Sequence, residues 1–443
     1  MNENTLLKRF FENGTEFDPD KQFGLSHKVR TRRIREIVLL MRKHHVMDGL
    51  SPTELRDILV DLGPSFIKIG QMLSLRSEIL PQAYCDPMPF EETVAVLRGI
   101  YGDKFDSIFK EIDPKPLGSA SMAQVHRAVL TNGDEVAVKV QRPGVRTTMA
   151  QDIDVMRAVA KQASRFMKDN QMLNLRDVVE ELWVTFLEET DFLKEARNLE
   201  EFALLNKDVV YISCPKPYME YCTEEVLVME YVNGISIRDT KRLLENGYDL
   251  EEIGVKVMDN YATQIMEHGF FHADPHPGNI LVKDGKVIYI DLGIMGRLSV
   301  RDRGGFRRIV EAVGSKNSAE LKDALIAFSV AHDMNAIDHP RFLAELDNVL
   351  ESYGSTDVAD IDIGSLLGDI MVLTRQCKVT LPASVTAVSR GIITMEGSLQ
   401  DCLANANIVD IINGHLQRSK DIKTEIQNQT KDLLISLNSA AHS

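Results

Sequence analysis

The chain has 443 residues, with 51 Lys and Arg against 66 Asp and Glu, for a formal net charge of −15. This acidity disfavours a nucleic-acid-binding protein, and the length suits roughly two or three structural units. Five widely spaced cysteines without a C-x-x-C pair are typical of reduced thiols in a cytoplasmic protein, not of a disulfide framework. No apolar run reaches the roughly 18 residues of a membrane span, and we expect no signal peptide.

The first hundred or so residues are predicted to be helical. Residues 51–54, Ser-Pro-Thr-Glu, combine a helix cap, a proline at the first helical position and the reciprocal Glu of a capping box. Residues 26–43 hold seven Lys or Arg against one Glu, with apolar residues at helical spacing. This predicts a basic amphipathic helix, which either packs against the same protein or lies on an anionic membrane.

From residue 116 the pattern changes to strands. Segments 122–130 and 135–141 flank an Asn132-Gly133 turn, which predicts a β-hairpin because Gly supplies the positive φ of a tight turn. The later elements are predicted as helices at 145–169 and 175–206, a strand at 225–232, helices at 238–246 and 250–268, strands at 280–283 and 287–291, and mostly helix beyond residue 300.

Two motifs, HADPHPGN and YIDLG, place three ligand-type side chains in a fixed order. Asp274 precedes Asn279 by five residues and Asp291 by seventeen. Phosphoryl transfer requires a carboxylate that accepts the nucleophile's proton, and an Asn and an Asp that hold Mg²⁺ on the β- and γ-phosphates of ATP. We therefore predict a kinase-like phosphotransferase that uses ATP and Mg²⁺, with Asp274 as catalytic base and Asn279 and Asp291 as metal ligands.

Lys139 ends the segment V-A-V-K on a predicted strand. A lysine there can reach the α- and β-phosphates of ATP, provided that a helix carboxylate holds it in place. The acidic segment EETDFLKEA offers several candidates, and we expect Glu195 to be the partner.

No G-x-G-x-x-G loop precedes Lys139. A turn of small residues that includes Ala120 and Ser121 stands in its place. Its backbone N–H groups can approach phosphates, with less conformational freedom than glycines would give. We expect a nucleotide site with altered phosphate geometry.

The strand at 225–232 is a candidate hinge that reads the adenine edge. Met229 would line the pocket, Glu230 would supply a carbonyl, and Val232 would supply both an amide and a carbonyl. An ordinary buried strand is the alternative.

The closely spaced His272, Asp274 and His276 also permit a metal centre of a hydrolase. That alternative leaves Asn279, Asp291 and Lys139 without a role. We therefore expect His272 to pack and hydrogen-bond beneath the catalytic loop.

With these residues assembled, the chain resembles the UbiB-like (AarF) atypical kinases, the group that includes the coenzyme Q biosynthesis kinases. Lys68 and Gln71 match the K-x-G-Q signature of the family's N-terminal extension. Glu189 and Asp191 match its E-x-D motif, and Glu195 stands at the position of the αC glutamate.

Further marks of the family are the alanine-rich loop at 119–126 and the segment Gln-Arg-Pro-Gly at 141–144. The likeness runs from about residue 50 to 300. Gly118 and Ser119 stand where many relatives have alanine, which alters the expected stiffness of the loop. We expect no counterpart of the C-terminal transmembrane segments that some bacterial members have.

The resemblance implies an α+β, bilobal protein-kinase-like fold with a helical N-terminal extension over the active-site cleft. The implied domains are the extension at 1–110, an N-lobe with inserted helices at 111–232 and a helical C-lobe at 233–443. Lys68 is expected to pair with the Glu189 and Asp191 carboxylates.

The implied function is a Mg²⁺-dependent ATPase or kinase that supports isoprenoid-lipid or quinone metabolism. The implied ligands are ATP and an isoprenoid lipid or quinone precursor, with no nucleic acid. The protein is expected in the cytoplasm, with peripheral contact at the inner face of the membrane. The alternative is a nucleotide-gated regulatory or scaffold protein with little turnover.

Overall fold

The structure is a computed structural model that describes residues 32, 33, 36, 37, 40, 58, 59, 61–63, 65, 66, 87–163, 175–329, 337–354, 363–379, 381–403, 411, 412 and 414–418. The predicted helix start at 51–54 lies outside these residues, as do Lys68, Gln71 and most of the basic stretch at 26–43.

The helices are α1 (Phe90–Tyr101), α2 (Phe105–Ile108), α3 (Val145–Ala163), α4 (Leu175–Glu189), α5 (Phe192–Leu205), α6 (Thr240–Glu245), α7 (Leu250–Thr263), α8 (Val300–Gly314), α9 (Ser318–Phe328), α10 (His339–Gly354), α11 (Ile363–Gln376) and α12 (Ala383–Leu399). The strands are β1 (Phe109–Ser119), β2 (Ala123–Leu130), β3 (Glu135–Gln141), β4 (Ile212–Ser213), β5 (Val226–Glu230), β6 (Ile235–Ser236), β7 (Phe270–His272), β8 (Ile280–Lys283), β9 (Lys286–Tyr289) and β10 (Met295–Arg297). No helix in the described part of the chain combines the length and apolarity needed to cross a bilayer.

The chain divides into two compact units, one of Met1–Ala196 with Pro217–Tyr231 and the other of Arg197–Lys216 with Val232–Ser443. The first unit contains the antiparallel sheet β1-β2-β3-β5. The predicted β2–β3 hairpin is present, and Gly133 has the positive φ (95°) that its turn needs.

The two faces of strand β3 have different neighbours because side chains alternate along a strand. Val136, Val138 and Val140 are fully buried on one face, in a cluster that also contains Leu97 of α1. The intervening residues, including Lys139, belong to the opposite face. The core of this unit thus fixes the side of the sheet on which the lysine lies.

The prediction of a single long helix at 175–206 is wrong, because the structure has two helices with a break at Thr190 and Asp191. The Asp191 carboxylate accepts the Lys194 N–H at 3.0 Å and caps the start of α5. The Thr190 carbonyl accepts hydrogen bonds from Gln141 Nε2 at 2.9 Å and Arg146 Nη2 at 2.8 Å. These partners satisfy groups that a continuous helix would have bonded internally.

A buried carboxylate joins described residues near the N-terminus to helix α3. Asp152 is fully buried, and its carboxylate accepts hydrogen bonds from Arg33 Nε at 2.5 Å and Ser65 Oγ at 2.5 Å. Arg33 also donates to the Leu62 carbonyl at 2.6 Å. Burial raises the pKa of Asp152, while its bonds to Arg33 and Ser65 act in the opposite direction.

The second unit contains the sheet β4-β9-β8-β6 and the separate two-stranded pair β7–β10. Helices α8 to α11 pack around one apolar cluster, in which Phe342 and Leu346 are fully buried. Helix α7 ends in a π-helical turn, Gln264–His268, followed by Gly269 with φ 65°. A side chain at Gly269 would bring its Cβ within 2.7 Å of the Leu298 carbonyl oxygen.

Candidate active site

The Lys139 side chain forms an ion pair within the first unit. Its Nζ lies 2.8 and 3.1 Å from the two carboxylate oxygens of Glu195, in the first turn of α5. The exposed fractions of the two side chains are 15% and 2%, and the Phe192 ring lies 5.0 Å from Nζ. Separating this pair would leave an uncompensated charge in a buried place. The pair therefore holds the lysine in one position.

Lys139 shares its face of the sheet with the candidate hinge residue Met229. In the β3–β5 register, Lys139 lies opposite Leu227 and Ala137 lies opposite Met229, so these four side chains leave the same face. Met229 is buried.

Beyond Met229, strand β5 ends at Glu230, which is exposed and lies opposite Val136. The Tyr231 N–H still donates to the Glu135 carbonyl at 3.1 Å. Val232 begins the second of the two segments that form the second unit. The candidate hinge residues therefore stand where strand pairing ends.

The turn that contains Ala120 and Ser121 is held by Arg142, for which the sequence predicted no role. Arg142 Nε donates to the Ala120 carbonyl and Nη2 donates to Ser119 Oγ, each at 2.8 Å. The Arg142 N–H donates to the Met122 carbonyl at 2.8 Å. The turn is therefore fixed by a cation. The only sequence signal was its position in the Gln-Arg-Pro-Gly segment after the lysine.

In the second unit, Asn279 and Asp291 are brought together by backbone pairing. Asn279 ends the 3-10 turn Pro277–Asn279 and directly precedes β8, whose first residue, Ile280, pairs with Tyr289. The Ile290 N–H donates to the Asn279 carbonyl at 2.9 Å, so Asn279 lies beside the residue before Asp291. Asp291 Oδ1 accepts the Gly293 N–H at 3.0 Å.

Asp274 lies on the loop that joins β7 to this turn. The Ala273 N–H donates to the Ile294 carbonyl at 3.0 Å, and the His276 N–H donates to the Asp274 carbonyl at 2.8 Å. The Asp274 N–H donates to His272 Nδ1 at 3.2 Å. Like Asn279 and Asp291, Asp274 is half-buried, so its side chain is fixed at its base and still partly open to solvent.

His272 is 1% exposed, and its burial lowers its pKa from 6.5 to about 4, against the opposing effect of Asp274. The ring is therefore neutral near pH 7. Since Nδ1 accepts the Asp274 N–H, the ring hydrogen belongs on Nε2. In this state His272 acts as a hydrogen-bond acceptor beneath the loop.

Within the described residues, no group of three or more His, Cys, Asp or Glu side chains is placed to hold a metal ion. The hydrolase-type centre considered at His272, Asp274 and His276 thus has no ligand cluster there. Mg²⁺ has different needs, because it is commonly bound by one or two protein carboxylates with phosphate oxygens and water. The oxygen-bearing Asn279 and Asp291 fit that requirement.

Of the predicted contact between the extension and the E-x-D motif, the structure describes only the carboxylate half. Glu189 is the last residue of α4, and Asp191 caps α5. Lys68 and Gln71 lie outside the described residues.

Residues 81–325 match the family model of the ABC1 atypical kinase-like domain. The chain belongs to this family. It is 32% identical over 372 residues to the "Uncharacterized protein in hydrogenase 1 5'region" of Clostridium pasteurianum, covering 82% of this chain and 70% of that protein. It is also 32% identical to the "Probable protein kinase UbiB" of Azotobacter vinelandii, covering 77% of this chain and 66% of that protein. The chain spans about two thirds of the length of either relative.

Among solved structures, this ABC1-family chain is similar to Rv3197 of Mycobacterium tuberculosis, whose structure is a complex with erythromycin. The TM-score is 0.55 at 21% identity, covering 80% of this chain and 92% of that one. This likeness concerns the fold alone. Together with the family match, it confirms the predicted α+β, kinase-like fold.

The buried, neutral His272 makes stability depend on pH. The folded protein keeps this ring unprotonated down to about pH 4, whereas an unfolded chain protonates it near pH 6.5. The contribution of this ring to the free energy of unfolding is therefore complete above pH 6.5. It decreases by about 3 kcal/mol as the pH falls towards 4. We expect urea unfolding at pH 7 and pH 4.5 to show a smaller loss of unfolding free energy in His272→Gln than in wild type.

His339→Gln is the control, because this histidine on α10 is only half-buried. It should show the pH dependence of the wild type. An equal loss in wild type and His272→Gln would contradict the assignment of a buried neutral ring.

Proposed function

We propose that this protein binds Mg²⁺-ATP and transfers the γ-phosphoryl group to an acceptor or to water. The observation that carries the proposal is the backbone pairing that places Asn279 beside Ile290, directly before Asp291, with Asp274 on the adjoining loop. This arrangement supports one carboxylate for proton transfer and two oxygen ligands for Mg²⁺. Membership of an atypical kinase-like family supports the same reaction class.

In the proposed reaction the acceptor oxygen attacks the γ-phosphorus, and the bond from that phosphorus to the β–γ bridging oxygen breaks. Asp274 takes the proton of the acceptor hydroxyl or water. When bound, Mg²⁺ would neutralise charge on the β- and γ-phosphates, held by Asn279 and Asp291. ADP leaves with the bridging oxygen.

Residues of the first unit have proposed roles in holding the nucleotide. Lys139, fixed by Glu195, contacts the α- and β-phosphates. The turn at Ala120 and Ser121 offers backbone N–H groups to phosphate oxygens. Its attachment to Arg142 supports this role, since a fixed turn does not have to be ordered when the nucleotide binds.

Adenine recognition is assigned in this proposal to the end of β5. Met229 contributes an apolar wall on the face that it shares with Lys139. The backbone of Glu230 and Val232 bonds the adenine edge.

The proposed acceptor class is an isoprenoid lipid or a quinone precursor. The motif likeness to the UbiB-like kinases, which include the coenzyme Q biosynthesis kinases, supports this choice. Such acceptors partition into membranes. The basic stretch at 26–43, apart from Arg33, which pairs with the buried Asp152, is suited to weak, salt-sensitive contact with anionic lipid. The proposed location is the cytoplasm, with peripheral contact at the inner face of the membrane.

Loss of the Asp291 carboxylate tests the metal site. Asp291→Asn removes the anionic ligand, so we expect thermal stabilisation by Mg²⁺-ATP to disappear. The matched control is Asp347→Asn, which changes an exposed aspartate on α10 and should leave that stabilisation intact. Stabilisation of Asp291→Asn equal to that of the wild type would show that the metal is held elsewhere.

Asp274 should act in chemistry more than in nucleotide binding. In Asp274→Asn the proton acceptor is lost, so we expect ATP turnover to fall by about 10²- to 10⁴-fold with the ATP Kd near that of the wild type. Single-turnover assays and calorimetric titration measure the two quantities. Parallel losses in both would make Asp274 a binding or structural residue.

The acceptor class is tested by ATP turnover with and without anionic liposomes or a phenol that mimics a quinone precursor. We expect both additions to raise turnover above the basal rate, because each supplies part of the proposed acceptor's environment. The matched control for the liposome arm uses vesicles of neutral lipid. Binding of Mg²⁺-ATP without measurable turnover under any condition would instead favour a nucleotide-gated regulatory or scaffold protein.

A further inference from the structure

The second unit contains a continuous chain of buried side-chain amides that ends at His272. Gln264 Oε1 accepts the His272 N–H at 3.0 Å, and Gln264 Nε2 donates to Asn260 Oδ1 at 2.8 Å. Asn260 Nδ2 donates to Asn206 Oδ1 at 2.6 Å. At its other end, the amide chain stops at Asn206, whose Nδ2 donates to the Phe202 carbonyl at 3.0 Å. Each amide accepts from one neighbour and donates to the next.

The amide chain lies in the protein interior. The exposed fractions are 0% for Gln264, 1% for Asn260 and 4% for Asn206. Leaving one such group without a partner destabilises the fold, whereas apolar side chains of similar shape would avoid that cost. Three adjoining buried amides are therefore a costly way to fill a core. Their directional bonds place His272 more narrowly than apolar packing could.

The position of Gln264 depends on the change of helix type at the end of α7. The α-helix ends at Thr263, and Gln264 begins the π-helical turn that leads to Gly269. π-Helical turns occur frequently at functional sites, where they redirect side chains. Strand β7 has only three residues and pairs with β10 in a two-stranded sheet. The Gln264 amide thus bonds His272 on the edge of β7 that pairs with no strand in the described part of the chain.

His272 directly precedes the loop of Asp274, and three hydrogen bonds hold it in place. Its N–H is bonded by Gln264, and its carbonyl accepts the Tyr261 hydroxyl at 2.9 Å. Its Nδ1 accepts the Asp274 N–H at 3.2 Å. Gln264 is therefore connected to the Asp274 backbone through a single buried residue.

We propose that Gln264 is a positioning residue for proton transfer, which acts by holding His272 and through it Asp274. This inference rests on the proposed role of Asp274 as the proton acceptor. A misplacement of about 1 Å at a catalytic group can cost about 10²-fold in rate. Loss of the Gln264 contact thus reduces kcat, while nucleotide binding by residues outside the amide chain is retained.

The test is a double-mutant cycle on the full chain, with Gln264→Leu, Asp274→Asn and the double variant. We expect Gln264→Leu to lower kcat for ATP turnover about tenfold or more, with the ATP Kd changed by less than about twofold. In the Asp274→Asn background the same change should have no further effect, because the group that it positions is gone.

Two further variants separate positioning from general destabilisation. Gln264→Glu keeps an acceptor for the His272 N–H and, protonated in this buried position, a donor for Asn260. Its kcat should lie closer to the wild type than that of Gln264→Leu. Thr374→Val, at a buried residue on α11 whose hydroxyl donates to the Met371 carbonyl of the same helix, should leave kcat unchanged.

An unchanged kcat in Gln264→Leu, an equal loss in the Asp274→Asn background, or a proportional loss of ATP affinity would overturn the inference. If Asp274→Asn alone leaves turnover unchanged, the proposed function itself fails, and the inference fails with it. Should Gln264→Leu not fold, Gln264→Met keeps the length of the side chain and serves in the same cycle.

Discussion

The second unit depends on a requirement of its interior, namely that buried polar groups find partners within the protein. At His272 the backbone N–H, the backbone carbonyl and the ring nitrogen Nδ1 each have a hydrogen-bond partner, whereas the ring nitrogen Nε2 has none among the described residues. These partners come from Gln264, Tyr261 and Asp274. A short two-stranded pair could not place the loop of Asp274 by ladder hydrogen bonds alone. Buried side chains of helix α7 and its π-helical end supply the missing constraints.

The first unit solves a different problem, since it must hold a cation near the surface of a sheet. Lys139 and Glu195 are so buried that either charge without its partner would be destabilising, so each fixes the other. Such pairs are weak evidence for stability, because desolvation offsets much of the attraction. Their value lies in geometry. The same logic applies at Arg142, whose guanidinium binds the Ala120 carbonyl and Ser119 and fixes a turn that has few glycines.

Several motifs of the family are connected by contacts within the first unit. The Gln-Arg-Pro-Gly segment contributes Arg142 to the small-residue turn and Gln141 to the helix break at Thr190. Arg146 strengthens the same break from the start of α3. Residues that look like separate signatures along the chain are thus parts of one hydrogen-bonded arrangement. This explains physically why Thr190 and Asp191 interrupt what would otherwise be a long amphipathic helix.

The sequence by itself determined the elements whose signals are local. The β2–β3 hairpin follows from alternating apolar residues and an Asn-Gly turn, and the order of Asp274, Asn279 and Asp291 predicted a kinase-like protein, in agreement with the family match. Only the tertiary structure decided the break before α5 and the hydrogen-bond partners of Arg142 and Gln264. Periodicity reports which face of an element is apolar, but a buried hydrogen bond needs a partner from a distant part of the chain. Gln141 and Thr190, or Asn206 and Asn260, are about fifty residues apart in sequence and meet only once the chain has folded.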